Sequence, residues 1–188
     1  MAFRLLITGR MLRAIGTLCL CLTAMAATLE RLSLDDMTAR STAIVRARVV
    51  SSSGSLTGST IYTRTRLQVL ERWKGPETAE VEVTEPGGTV GAVTQSYSGV
   101  PRFTAGQEMV LFLWTGPSGR TQVIGLSQGV FEVTSNAVTG EPEVRREASG
   151  EIMLAPGTGQ QVRDERIVMP LPSLAARVRS TLRTGGGK

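Results

Sequence analysis

The run Met109-Val110-Leu111-Phe112-Leu113-Trp114 is the strongest constraint on how this chain folds. Six uninterrupted apolar residues are short for a core helix and rich in the types that suit a pleated strand. In a strand, Met109, Leu111 and Leu113 leave one face, and Val110, Phe112 and Trp114 the other. Both sets are apolar, so both faces need a cover, which places the segment at the centre of a sheet.

The flanking segments alternate instead. In Ala43 to Val50, Val45, Ala47 and Val49 oppose Arg46 and Arg48, and Ser51 to Ser59 reads as a serine/glycine loop. In Thr60 to Leu70, Ile61, Thr63, Thr65, Leu67 and Val69 oppose Tyr62, Arg64, Arg66 and Gln68. In Ala79 to Thr84, Val81 and Val83 oppose Glu80 and Glu82. Thr121 to Leu126 and Gly129 to Thr134 read as a further pair, and Glu141 to Leu154 as one or two weak strands. Trp73-Lys74-Gly75-Pro76 reads as a turn, and residues 86–106, rich in Gly, Ser and Thr, as a long, partly ordered loop. Ser33-Leu34-Asp35-Asp36 carries a helix start, a serine cap followed by acids. A final helix begins at Pro172-Ser173 with Leu174, Val178 and Leu182 on one stripe. Short strands joined by turns, without βαβ alternation, predict a mostly β domain. The expected form is a small antiparallel barrel or rolled sheet, OB-like, of about 5–6 strands, with a short N-terminal helix and a C-terminal helix.

The first residues sort into the zones of a signal peptide. Arg4, Arg10 and Arg13 precede an apolar stretch from Ala14 to Met25, and Ala24-Met25-Ala26 supplies small residues for cleavage between Ala26 and Ala27. The apolar stretch is short of the ~20 residues of a permanent membrane span. Starting at Met11 instead leaves the same signal. The expected organisation is a signal peptide over 1–26, one domain over 27–184 and a flexible tail over 185–188. The expected location is periplasmic or extracellular, with no transmembrane span after processing. Removing three arginines lowers the net charge from +5 to +2, so charge alone does not argue for a polyanion partner. Both cysteines, Cys19 and Cys21, leave with the signal, and the domain must hold together by burial without disulfides.

The succession A-I-V-R-A-R-V-V, I-Y-T-R-T-R-L-Q-V-L-E-R-W-K-G, P-G-G-T-V-G, G-V-P-R-F-T-A-G-Q-E-M-V-L-F-L-W and V-I-G-L-S-Q-G-V-F-E-V spans residues 43–133. It resembles a group of uncharacterised exported bacterial proteins. The strand, V-L-E-x-x-K-G, strand portion is similar to the five-stranded barrel of netrin and tissue-inhibitor-of-metalloproteinase modules. Those inhibitors act through an N-terminal cysteine on the protease zinc. The processed chain has no cysteine, so that mechanism does not carry over.

The chain has no histidine, which removes Ser-His-Asp hydrolysis and the usual zinc and copper sites. Three aspartates, Asp35, Asp36 and Asp164, form no calcium loop, so no metal or cofactor is expected. Lys74 would have to serve any Ser–Lys hydrolase, but it sits in the expected turn. Two carboxylates suffice for glycoside hydrolysis, but Glu80 and Glu82 read as a solvated face. Arg46, Arg48, Arg64 and Arg66 would form a stripe if their strands pair, and beside Tyr62 and Trp73 it would track a polyanion. The simpler reading pairs them with Glu80 and Glu82 across the ladder, and export argues against nucleic acid. Pro101, Arg102 and Phe103 make either a contact patch or a lid with Phe103 as its plug. The candidate contact surface is therefore Tyr62, Arg64, Arg66, Trp73, Pro101, Arg102 and Phe103. The leading expectation is a non-enzymatic exported interaction or envelope-associated module with another exported protein or an envelope component as partner. The alternatives are a carboxylate-dependent carbohydrate-active enzyme and a polyanion-binding barrel.

Overall fold

The computed structural model describes residues 28–185. The signal segment, its cleavage point at Ala26 and Ala27, and residues 186–188 of the tail lie outside the described residues. β1 (Thr28–Glu30) and α1 (Leu34–Arg40) come first, followed by two long strands, β2 (Ala43–Thr57) and β3 (Thr60–Lys74). Next are β4 (Glu80–Pro86) and a small hairpin of β5 (Gly88–Val90) and β6 (Val93–Gln95). The central apolar run is β7 (Glu108–Thr115). It leads to β8 (Thr121–Val123), a 3-10 turn (Leu126–Gly129), β9 (Val130–Ser135) and β10 (Pro142–Arg146). β11 (Ile152–Leu154), β12 (Gln161–Val162), β13 (Ile167–Pro170) and α2 (Leu171–Gly185) complete the chain.

The main sheet runs β13-β10-β9-β7-β2-β3-β4, with β8 also paired to β7. All its pairings are antiparallel. β7 lies inside the sheet, as its two apolar faces require. The expectation of a closed barrel of 5–6 strands is corrected: the strands are more numerous and the sheet is open. The cause is a fork at β7. β9 pairs with Met109 to Leu111 while β8 pairs with Leu113 to Thr115, on the same edge. The segments expected to pair with each other thus share β7 instead. Between them the chain turns through Gly125 (φ 62°) and the 3-10 turn. Gly129 is required at this crossing, because a Cβ there would lie 2.7 Å from the Ile124 carbonyl oxygen and 3.0 Å from that of Phe112. One branch, β8-β7-β2-β3-β4, rolls until β8 lies against β4. The other, β9-β10-β13, extends away as a wing.

Each face of the sheet has its own core. Inside the roll, Val45, Ala47, Val49, Leu67, Val83, Met109, Leu111, Leu113 and Val123 pack together. On the opposite face, Ile44, Val110, Phe112, Phe131 and Val144 are covered by Met37 of α1 and by Leu171, Leu174 and Val178 of α2. The helix stripe expected from sequence therefore meets the second apolar set of β7. Trp114 is the exception: at 43% exposure it lies beyond the cover, with its ring against Gly116.

Local chemistry fixes the helices. Ser33 caps α1 by accepting the Asp36 N–H at 3.0 Å, and the Asp36 carboxylate returns the bond to the Ser33 N–H. The Lys74 ammonium donates to the carbonyl oxygens of Thr38 and Ala39 at 2.8 and 3.0 Å, satisfying the other end of the helix. α2 is tied to α1 by Arg177 and Thr181, which both donate to the Asp35 carboxylate.

Two loop expectations change. β3 continues through Trp73 and Lys74, and the turn follows at Gly75 (φ 96°). The 86–106 segment contains the β5–β6 hairpin, anchored by Gln95. Its side-chain oxygen accepts the Ile61 N–H at 2.7 Å, and its amide donates to the Ser59 carbonyl at 2.8 Å.

Candidate functional site

The place where the roll fails to close is built by β4. Glu80 and Glu82 are exposed, while Val81 and Val83 point into the roll with the third inward residue, Glu85. Glu85 is only 3% exposed. One of its oxygens accepts the Val123 N–H of β8 at 2.7 Å, and this bond, instead of a ladder, joins β8 to β4. Its other oxygen is buried without a hydrogen-bond partner. Burial pushes the carboxyl up to about 7, with the Val123 N–H acting in the opposite direction.

Beside this seam lies a cleft of about 660 Å³, lined by Glu82 and Thr84 of β4, Tyr62 and Arg64 of β3, and Arg120 and Thr121 of the β7–β8 hairpin. The Arg120 guanidinium sits 4.3 Å from the centroid of the Tyr62 ring, a cation–π contact that holds the hairpin tip across β3. Val45 and Val81 supply apolar lining.

A second cavity, about 310 Å³, lies on the inward side of the same strands. Thr63, Thr65 and Glu85 line it on the strand side, and Tyr97, Arg102 and Phe103 on the loop side. Phe103 is half-buried against the core of the roll. Pro101 is half-buried, and Arg102 is exposed and donates to the Ser96 hydroxyl at 2.8 Å.

The structure divides the candidate surface. Tyr62 and Arg64 line the cleft; Pro101, Arg102 and Phe103 line the cavity. Arg66 is exposed, opposite Ser51 on one side and Glu82 on the other. Trp73 belongs elsewhere: it packs on the helix-covered core and donates to Glu71 at 3.2 Å. Eleven residues of strand put it ~36 Å from Tyr62, too far for one aromatic platform.

The arginine stripe is not continuous. Arg46 pairs with Glu71 and with Glu108 at 2.6 Å, and Arg48 pairs with Glu108 at 3.0 Å. Register shifts in the β2–β3 ladder bring Arg46 opposite Glu71 and leave Arg64 and Arg66 opposite serines. Glu71 and Glu108 are thus the acids that pair with Arg46 and Arg48, while Glu82 stands across the β3–β4 ladder from Arg66. The Trp73 N–H and Arg46 hold the Glu71 carboxyl below its ordinary range, against the opposing effect of burial. Lys74, with its pKa lowered by burial, is spent on helix carbonyls and is not placed as a catalytic base.

Sequence reasoning missed Glu85 and Arg120. The signal for Glu85 was present, since alternation through Val81 and Val83 points it inward; nothing local marks Arg120 as the partner of Tyr62. Among the described residues no cluster of metal-ligating side chains occurs, and no helix is long and apolar enough to cross a membrane. No protein-family model matches the sequence, and neither a curated protein nor a solved structure matches it.

Proposed function

We propose that this chain is an exported, non-enzymatic interaction module. In this reading the cleft beside β4 takes an extended polypeptide segment of another exported protein or an envelope component. The observation that carries the reading is the open seam. β4 ends the sheet, β8 approaches it without forming a ladder, and a cleft lies at the join. Free main-chain groups on a sheet edge recognise an extended chain by adding a strand, and neighbouring side chains choose the partner. Arg64 and Arg120 flank Tyr62, while Glu80 and Glu82 lie along β4. That charge pattern suits a segment with acidic residues at one end and basic residues at the other. The five strands of the roll would then be the counterpart of the netrin-type barrel, opened at one seam, a likeness of fold alone.

Selection from a displayed library of linear peptides tests this. The wild-type chain should enrich a family of peptides, and Tyr62→Ala with Arg120→Ala should lose them. No enrichment, or enrichment indifferent to those substitutions, would count against the cleft. Export has its own test: N-terminal sequencing of secreted protein should read Ala27-Thr28-Leu29-Glu30-Arg31, and a secreted form that retains Arg13 would refute the cleavage site.

A further inference from the structure

We propose that the cavity beneath the 97–104 segment is a second binding site, for a small ligand bearing a protonated primary amine, with Glu85 as the group that holds it. The site is separate from the cleft: the two share no lining residue, Tyr62 and Thr84 belonging to the cleft and Thr63 and Glu85 to the cavity. At about 310 Å³ the cavity is in the range of small-molecule sites.

The hydrogen-bonding groups on its wall decide what it takes. Both ends of the Gln95 amide are used, on Ile61 and Ser59. The Thr63 hydroxyl donates to the Gly87 carbonyl at 2.7 Å, and the Thr65 hydroxyl pairs with that of Ser52 at 3.0 Å. Arg102 donates to Ser96 at the outer side. Of the buried side-chain atoms on the wall, the second oxygen of Glu85 is left without a partner. When the carboxyl is ionised this oxygen is an acceptor that is costly to leave unpaired, so the complement is a donor. An ammonium group supplies both the hydrogen bond and the opposite charge. The half-buried Phe103 and Pro101 cover the site and suit a short alkyl chain behind the amine.

The ionisable groups on this wall are Glu85, Tyr97 and Arg102. β8 contributes Thr121, Gln122 and Val123, none ionisable, and on β4 Glu80 and Glu82 face outward. Glu85 must give up its proton to receive an ammonium. With the free carboxyl held at about 7, binding should release a proton at neutral pH.

The test is an NMR titration of the purified chain with n-propylamine and, as the uncharged match, n-propanol. Propylamine should saturably shift Thr63, Thr65, Phe103 and the Glu85 carboxyl, and propanol should not. Affinity should rise about tenfold per pH unit below about 7 and level off above it. Glu85→Gln keeps the size and the acceptor for the Val123 N–H, and it should weaken propylamine more than tenfold and flatten the pH dependence. An equal response to propanol, no saturable shift at the cavity, or retained affinity in Glu85→Gln would each overturn the proposal. The first two are read on the wild-type chain and do not depend on the variant folding.

Discussion

Asp164 and Arg146 are eighteen residues apart and meet at 2.6 Å, with side chains only 1% and 5% exposed. Asp164 also accepts the Ser149 N–H at 2.8 Å, so one carboxylate pins both ends of the 147–166 segment to β10. Burial lowers the Arg146 pKa, and Asp164 opposes that effect. Breaking a buried pair from one side leaves an uncompensated charge. Asp164→Asn should therefore cost about 3–5 kcal/mol in urea denaturation, while the double change to Arg146→Met and Asp164→Leu should cost much less. Nothing local in the sequence marks this pair, because each residue stands among other charges and their meeting depends on chain return. Glu85 was more legible, being the third inward residue of an alternating strand. The folded chain holds its proton up to about pH 7, whereas the ordinary value is 4.5. Between those values the folded state binds more protons than the unfolded one, so stability falls as pH rises through the window. The loss is complete above it and is on the order of 3 kcal/mol. In Glu85→Gln this slope should disappear from a series of denaturation curves; an unchanged slope would show that another group sets it.

At the scale of elements, the central strand and the two helices were the most legible, because their side-chain periods are unambiguous. α2 buries Leu171, Leu174 and Val178 against Val110 and Phe112. Each is worth ~1.5–3 kcal/mol relative to exposure. Ending the chain at Met169 should then destabilise it by several kcal/mol or expose β7 to aggregation. Leu174→Asp should act in the same way, and a truncated chain that melts like the whole one would remove α2 from the core. Replacing the α1 cap is a smaller change: Ser33→Ala should cost about 1 kcal/mol by thermal melting. β2 was less legible. It runs on to Thr57 through a Ser/Gly-rich stretch that reads as loop, because its pairing with β3 extends a solvent-facing ribbon without an apolar face of its own. The fork at β7 was hidden for a different reason. Which strand takes which half of an edge is decided by the crossing at Gly125 to Gly129, not by the apolar pattern of either strand.

For the whole molecule, the fork explains why the sheet stays open. β9 occupies part of the β7 edge and carries the sheet into the wing, leaving the short β8 as the roll's last strand. β8 reaches β4 through the Glu85 bond and through Val123 packed with Val83 in the core of the roll, not through a ladder. The mostly β class and the lack of histidine could be read from residue types. The seam could not, since it depends on strands far apart in the chain. The candidate surface split accordingly: Tyr62 and Arg64 line the cleft, while Trp73 packs, half-buried, against the helix-covered core. Per-residue amide hydrogen exchange, measured with and without a peptide selected on the wild-type chain, tests the account most directly. Protection gained along β4 (Val81 to Thr84) and at Thr121 to Val123 is the predicted result; protection gained instead at the opposite sheet edge, Ile167–Pro170, would contradict it.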